Sequence, residues 1–596
     1  MRRLTLPLLL ALVAAPLATP APAVALELNR KYEEDLLRRG MTVKGLTPEP
    51  SPDGQIIERV VIVREEIIAA SDPWPNFLNY LHRTTRDHVV RQELLVSPGD
   101  KWDEELIWES ERNLRKLFIL AVARTMACKG STPGKVVLLV VTKDLWSIRF
   151  NTAFSMVGST LQLYDFFPTE QNFLGLNKRV SLHMQLSQLE LSTFVLHDSF
   201  SLGNLYIDDR VLGGRVRFTQ RFDAIIAGDV PCGGAVGGKD GAWCPSRSFG
   251  ELEGIYGYLW LERPLFSLAT RWGFSLFGLV DTRQVRSYVQ PGPALRTVSL
   301  EGVSSSVSKQ DRAPRIYDRG NYEVYAKVTR SLGREIKHDI SGGLSAYRRR
   351  YTVPEGFPFD EQVKRWYTRN YLPRSEAASY LFANYRTHRP RFVRLKNIQS
   401  LALTEDITLG HDISVELRGA AGMATFDPLY LEAKAEAKYS WNPAGHIISV
   451  RLAGQGRWQP SLEEEDGYDD PWANALLEAE VREISPPIPG GRFHLRLGTR
   501  LRHNDLTRQR SYLGGDDGLR GYSSKQFEGD NLLHVNAEFR SRPINILTLH
   551  VGFVIFYDGG AVWGGPDPER PGVPLKLHYQ QSLGLGIRAL FPQFDR

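Results

Sequence analysis

The sequence predicts a mostly β protein: an antiparallel transmembrane β-barrel of about 16 strands, preceded by one small α+β domain. Three observations predict it. Residues 145–596 alternate polar and apolar side chains through one long segment after another. Beyond residue 25 no apolar run approaches the roughly 20 residues that a membrane-spanning helix needs. Residues 56–144 break the alternation and give the order strand, helix, helix, strand, strand.

Ordinary domain sizes would divide 596 residues into about four domains, but a large barrel is one sheet, which leaves two units. Apolar residues at 42% and charged residues at 24% exclude a disordered chain. A mean hydropathy of -0.28 argues against a bundle of membrane helices but not against strands with a polar side. The net charge is +6 with no clustered Lys/Arg run, so nucleic acid is not an expected partner. Cys128, Cys232 and Cys244 are too few for a disulfide scaffold or a zinc module. The Gly-rich stretch around Cys232 and Cys244 allows one loop-closing disulfide in an oxidising compartment, with two free thiols as the alternative.

At the N-terminus, Arg2 and Arg3 precede an apolar stretch, Leu4 to Leu17, broken by Pro7 and Pro16 and followed by Ala23-Val24-Ala25. This reads as a secretory signal peptide over residues 1–25. Residues 26–55 read as an extended lead-in, with Pro48, Pro50 and Pro52 opposing regular structure. The β-branched run Ile56 to Val63 is a strand. Thr85 to Leu95 is a helix with Val89, Val90 and Leu94 on one side, and Pro98-Gly99-Asp100 is a turn. A second helix opens at Asp103-Glu104-Glu105, where carboxylates suit the helix dipole. Its inward positions are Trp102, Leu106, Ser110, Leu114, Leu117 and Phe118. Leu120 to Cys128 and Lys135 to Lys143 are two further strands.

The alternation after residue 145 has period 2, so each set of residues shares one face of a sheet. Val180, Leu182, Met184 and Leu186 oppose His183, Gln185 and Ser187. Phe493, Leu495, Leu497 and Leu501 oppose Arg492, His494, Arg496, Arg500 and Arg502. Leu533, Val535, Ala537 and Phe539 oppose His534, Asn536, Glu538 and Arg540. A soluble sandwich alternates as well. Two features favour the membrane barrel: the segments run about 9 to 11 residues, the length that crosses a bilayer, and the polar face is rich in Arg, which suits a wet lumen. The polar stretches Ser287 to Arg319 and Glu463 to Asp470 read as loops.

Between two such strands lies Leu513-Gly514-Gly515-Asp516-Asp517-Gly518-Leu519-Arg520-Gly521-Tyr522, a Gly-rich loop with one Arg. Its glycines permit an unusual backbone path. This loop resembles the signature of the outer-membrane assembly and secretion superfamily that includes BamA, TamA and the two-partner secretion transporters. The likeness extends to Gln171 to Arg179, similar to an early-strand motif, and to Phe556-Tyr557-Asp558-Gly559-Gly560-Ala561-Val562-Trp563, similar to a late-strand end. Residues 89–119, VVRQELLVSPGDKWDEELIWESERNLRKLFI, resemble a polypeptide-transport-associated (POTRA) domain. The resemblance implies a loop, centred on Gly518, Leu519, Arg520, Gly521 and Tyr522, that folds back into the lumen. It also implies a periplasmic domain whose exposed sheet edge accepts an extended peptide.

The alternation supplies partners for that loop. Asp558 and Glu538 both have the parity of the polar face, so Arg520 can reach one or both carboxylates. A guanidinium makes paired, charge-assisted hydrogen bonds there that an ammonium cannot. The C-terminus departs from the resemblance: one more strand, Leu575 to Phe591, follows the Asp558 strand before the chain stops, and relatives of this pattern have another. A last strand missing from the sequence, or a barrel closed by fewer strands, are the two expectations.

No His-Glu-x-x-His, Gly-x-Ser-x-Gly or phosphate-loop pattern is present, so an enzyme is not expected. The histidines are scattered over separate segments, so no metal and no cofactor is expected. The expected role is an outer-membrane protein that inserts or translocates polypeptides, with a passive porin or surface-antigen barrel as the alternative. Its expected partners are outer-membrane lipid, unfolded outer-membrane or secreted polypeptides, and periplasmic accessory proteins.

Overall fold

The structure is a computed structural model that describes residues 27–68, 79–80, 82–157, 159–211, 214–229, 249–288, 295–307, 311–399, 404–420, 428–462, 471–515, 518–523, 525–546, 549–565 and 575–590. The signal peptide, Cys232, Cys244, Asp516, Asp517, the acidic run 463–470 and the C-terminal residues 591–596 lie outside the described residues.

The N-terminal module contains α1 (Glu27–Lys44), β1 (Ile56–Glu65), α2 (Asp87–Glu93), α3 (Glu104–Lys116), β2 (Leu120–Lys129) and β3 (Lys135–Asp144). Its sheet has the order β1-β3-β2, with β1 parallel and β2 antiparallel to β3. The central strand is an unbroken apolar run, Val136 to Val141, because helices cover both faces. On one face Val90 of α2 and Ile107 and Leu114 of α3 pack against Val60, Leu138 and Val140. Asp103 caps α3, accepting hydrogen bonds from the Glu105 and Leu106 amides at 2.9 and 3.2 Å.

Two expectations for this module are corrected, and one of its two sheet edges is partly covered. Residues 27–44 are a helix, not an extended lead-in. The prolines that oppose a helix all follow residue 47, whereas Leu36, Leu37 and Met41 make one apolar stripe that docks on Val63, Leu139 and Val141. The edge of β2 is not free along its length: Lys129 N–H donates to Thr47 O at 2.9 Å and Ala127 O accepts from Glu49 N–H at 3.0 Å. Phe118 does not face inward. The helix ends at Lys116, the chain turns extended at Leu117, and the 65% exposed Phe118 ring lies beneath the Arg179 guanidinium. Cys128 is buried under α1, where burial pushes its thiol up to about 11.

Among the described residues the rest of the chain forms one antiparallel meander of 18 strands, from Ile148–Val157 to His578–Leu590. The sequence expectation of about 16 falls short, because some strands alternate weakly. In Tyr430–Trp441 three of the outward positions, Ala433, Ala435 and Ala437, are small. Two strands are interrupted. Glu376–His388 resumes at Arg391–Lys396 against the same neighbour, Thr404–Ala420. Asn531–Ser541 resumes at Ile544–Ile546 against Leu549–Trp563.

One face of this sheet is apolar and exposed, with Leu182, Leu344, Leu431 and Leu585 on it. The other carries cross-strand ion pairs, among them Arg451–Glu436, Arg496–Glu480 and Arg500–Glu478. The sheet curls around that polar face, and Arg588 of the last strand donates to Gln399 O in the turn after Arg391–Lys396. At the end remote from the module, the stretch expected as a plain loop holds a hairpin, Thr297–Ser299 with Arg312–Pro314, and Ile316 already begins a 17-residue strand. The hairpin packs with α4 (Glu361–Tyr371) around Val298, Leu300, Phe359, Val363 and Tyr367.

The module is fastened across the other end. Arg115 of α3 pairs with Asp406 at 2.9 Å, and Glu111, one turn earlier, meets Arg394 at 3.3 Å. Glu109 accepts from the Leu268 amide at 2.6 Å, and Glu93 of α2 pairs with Arg210. The early-strand motif forms the joint: Asn172 donates to Thr85 Oγ1 at 2.9 Å, and Gly175 O accepts from the Arg86 amide at 3.0 Å.

Candidate functional site

The Arg520 loop leaves the strand Gly491–His503 and returns into Asn531–Ser541. A short hairpin, Ser511–Leu513 with Phe527–Gly529, forms its neck. From there the loop lies against the polar face of the sheet. Leu519 is fully buried with Leu513 and Val562, which gives the tip an apolar anchor. Gly521 has φ +88°, a left-handed conformation that a side chain opposes, and so the backbone turns sharply after Arg520.

Arg520 then meets both carboxylates. Its Nε and Nη2 donate to Asp558 Oδ2 and Oδ1 at 2.7 and 2.8 Å, and its own backbone N–H adds a bond to Oδ2 at 3.0 Å. Nη2 also lies 2.7 Å from Glu538 Oε1. Asp558 is fully buried, and Asn536 satisfies it further by donating to Oδ1 at 2.8 Å and to Gly518 O at 2.9 Å. Glu538 is shared with Arg540 at 2.7 Å. The guanidinium Cζ lies 3.6 Å from the centroid of the Phe556 ring, a cation–π contact that adds to the fork. Tyr522 OH donates to Gln581 O at 3.1 Å, tying the far side of the loop to the last strand.

Thus Gly518, Leu519, Arg520, Gly521, Tyr522, Glu538 and Asp558 come together in one cluster. Sequence reasoning did not assign Asn536, Phe556, Gln581 or Gly584 to it. Parity was the available signal for Asn536, which pairs directly with Asp558 in the register of the two strands. The arrangement holds a loop in place against the sheet. Among the described residues no group of three or more His, Cys, Asp and Glu side chains is placed to hold a metal ion.

No protein-family model matches the chain, and the curated proteins contain no match to it. Solved structures do. CdiB from Acinetobacter baumannii aligns with a TM-score of 0.36 and 11% identity over 96% of this chain and 88% of its own. BamA from Haemophilus ducreyi lacking POTRA domains 1–3 aligns with a TM-score of 0.36 and 10% identity over 99% and 98% of the two chains. CdiB from Escherichia coli aligns with a TM-score of 0.35 and 10% identity over 96% and 100%.

Proposed function

We propose that the chain is an outer-membrane member of the assembly and secretion superfamily and that it inserts or translocates polypeptides. In this reading the 18-stranded meander closes into a barrel. The even strand number supports closure, because it sets the first and last strands antiparallel. The continuous exposed apolar face supports a lipid environment, since such a band facing water would be costly. The module is then a periplasmic POTRA domain, and the Arg520 loop lies in the lumen.

The observation that carries the reading is the fastening of the α+β module across one end of the sheet through Arg115–Asp406, Glu109–Leu268 and Glu93–Arg210. A passive pore gains nothing from a folded domain held over its mouth, whereas a translocase needs one to receive chains. The two-carboxylate lock on Arg520 holds the loop in one position on the polar face, and in this reading that position poises the barrel for its substrate.

Depletion of the gene followed by outer-membrane and secreted proteomics tests the proposal. A broad fall in membrane barrels indicates insertion, and loss of one exported protein indicates dedicated secretion. Unchanged proteomes in both fractions would remove the reading and leave the passive barrel.

A further inference from the structure

At the end of the sheet remote from the module, the polar face encloses a cavity of about 740 Å³, a size typical of ligand sites. One wall is the strand pair Ile316–Leu332 and Lys337–Thr352. The facing wall is the end of Gly491–His503 with residues 507–512, the base of the Arg520 loop, and Tyr371 of α4 adds to the lining. Seven of its lining residues are arginines and one, Glu323, is a carboxylate.

Five of these arginines are neutralised by carboxylates outside the lining: Arg315 by Glu528 at 2.9 Å and Arg319 by Asp281 at 2.6 Å are two of them. Two are not. Arg349 sits over the Tyr347 ring at 4.5 Å and has no carboxylate partner among the described residues. Arg508 donates to a backbone acceptor, Arg369 O, at 2.8 Å. Its backbone is left-handed, φ +52°. On the two walls, Nε of Arg319 and Nε of Arg502 are buried with no hydrogen-bond partner among the described residues. The positive charge left uncompensated in the cavity is therefore that of Arg349 and Arg508, set against the one lining carboxylate, Glu323, and low-dielectric walls strengthen its pull on an anionic ligand.

We infer that this cavity binds a carboxylate-rich extended polypeptide segment, with Arg349 and Arg508 as its primary anchors. The inference rests on the proposed polypeptide-handling function and assigns a substrate chemistry to it. Guanidinium forks on opposed walls match carboxylates projecting to both sides of an extended chain, and the half-buried Tyr317, Tyr371 and Tyr512 offer surface to the methylene stems between them. Because Arg510 and Tyr512 belong to the base of the Arg520 loop, a bound acidic segment competes with Asp530 for Arg510, 2.5 Å away, and so reports directly to that loop.

Binding of a fluorescent deca-glutamate peptide to the full-length protein in detergent tests this, with deca-glutamine and inorganic pyrophosphate as comparison probes. Deca-glutamate is expected to bind saturably, more weakly as salt rises, and about tenfold more weakly to the Arg349→Gln/Arg508→Gln variant. The Arg386→Gln/Arg482→Gln variant, whose arginines and their partners Asp412 and Glu480 lie outside the cavity, is expected to bind as the parent does. No saturable deca-glutamate binding, equal binding of deca-glutamine, or an unchanged affinity in the Arg349/Arg508 variant would each overturn the assignment. Pyrophosphate binding without deca-glutamate binding would overturn it in favour of a small-anion site. The measurement needs no translocation, so a site that binds in a protein whose depletion alters no proteome would stand while the transport reading fell.

Discussion

Gly584 on the last strand faces the Phe556 ring so closely that a Cβ there would lie 2.3 Å from Cζ. The absent side chain is what leaves room for the ring beneath Arg520. The lock on the loop therefore depends on three strands, not two: Asn531–Ser541 supplies Glu538 and Asn536, Leu549–Trp563 supplies Asp558 and Phe556, and His578–Leu590 supplies the space.

Gly584→Ala should accordingly destabilise by about 1–3 kcal/mol through overpacking. Its heat-modifiable gel mobility should be lost at a lower temperature than in the parent. Adding Phe556→Leu should recover the temperature but not the cation–π contact with Arg520. An unaltered transition in Gly584→Ala would mean that the ring relocates freely.

Removing the Arg520 guanidinium leaves Asp558 buried and uncompensated. Arg520→Ala should cost about 2–3 kcal/mol, below the value for a fully buried pair because more than a third of the Arg520 side chain reaches solvent. Arg520→Lys should recover only part of this, since an ammonium cannot span both Asp558 oxygens and Glu538. Denaturant titration in detergent measures the order parent, Lys, Ala. Restoration by the swap Arg520→Asp with Asp558→Arg would establish direct pairing.

The module should detach when its charge contact is reversed. Arg115 and Asp406 are both largely buried at the joint. Arg115→Asp or Asp406→Arg alone should expose the Asp144–Ser147 connection to protease, and the double reversal should protect it again. A double-mutant cycle should give a coupling of about 1–3 kcal/mol.

Acid should loosen α4. The Asp360 carboxyl is held down to about 2, first by the Ser306 hydroxyl and then by the Val363 amide and the Ser304 hydroxyl. An unfolded Asp titrates near ~3.9. The folded value is the lower one, so the stabilisation is complete above about pH 4 and is lost as pH falls toward 2. Fluorescence of Trp366, within α4, should report a transition in that window, and Asp360→Asn should abolish it. A transition of the same size in the variant would assign it to another group.

The local chemistry of the chain determined a good deal by itself. A period of 2 requires no knowledge of neighbours, and so the shared face of Glu538 and Asp558 was legible from each strand alone. The capped start of α3 at Asp103 and the strand–helix–helix–strand–strand order were legible for the same reason, because caps and periodicities act within a few residues. What depended on register or docking was not. That Asn536 stands opposite Asp558 and Gly584 beneath Phe556 follows from how three strands slide against one another, and a one-residue slip would exchange every pair. Whether residues 27–44 form a helix depended on an apolar sheet face waiting more than twenty residues later in the chain, since a short isolated helix is marginal until its stripe is buried. The unpaired arginines of the far cavity were equally illegible: each reads as one more polar-face residue until the curled sheet brings Arg349 and Arg508 to opposite walls of one space.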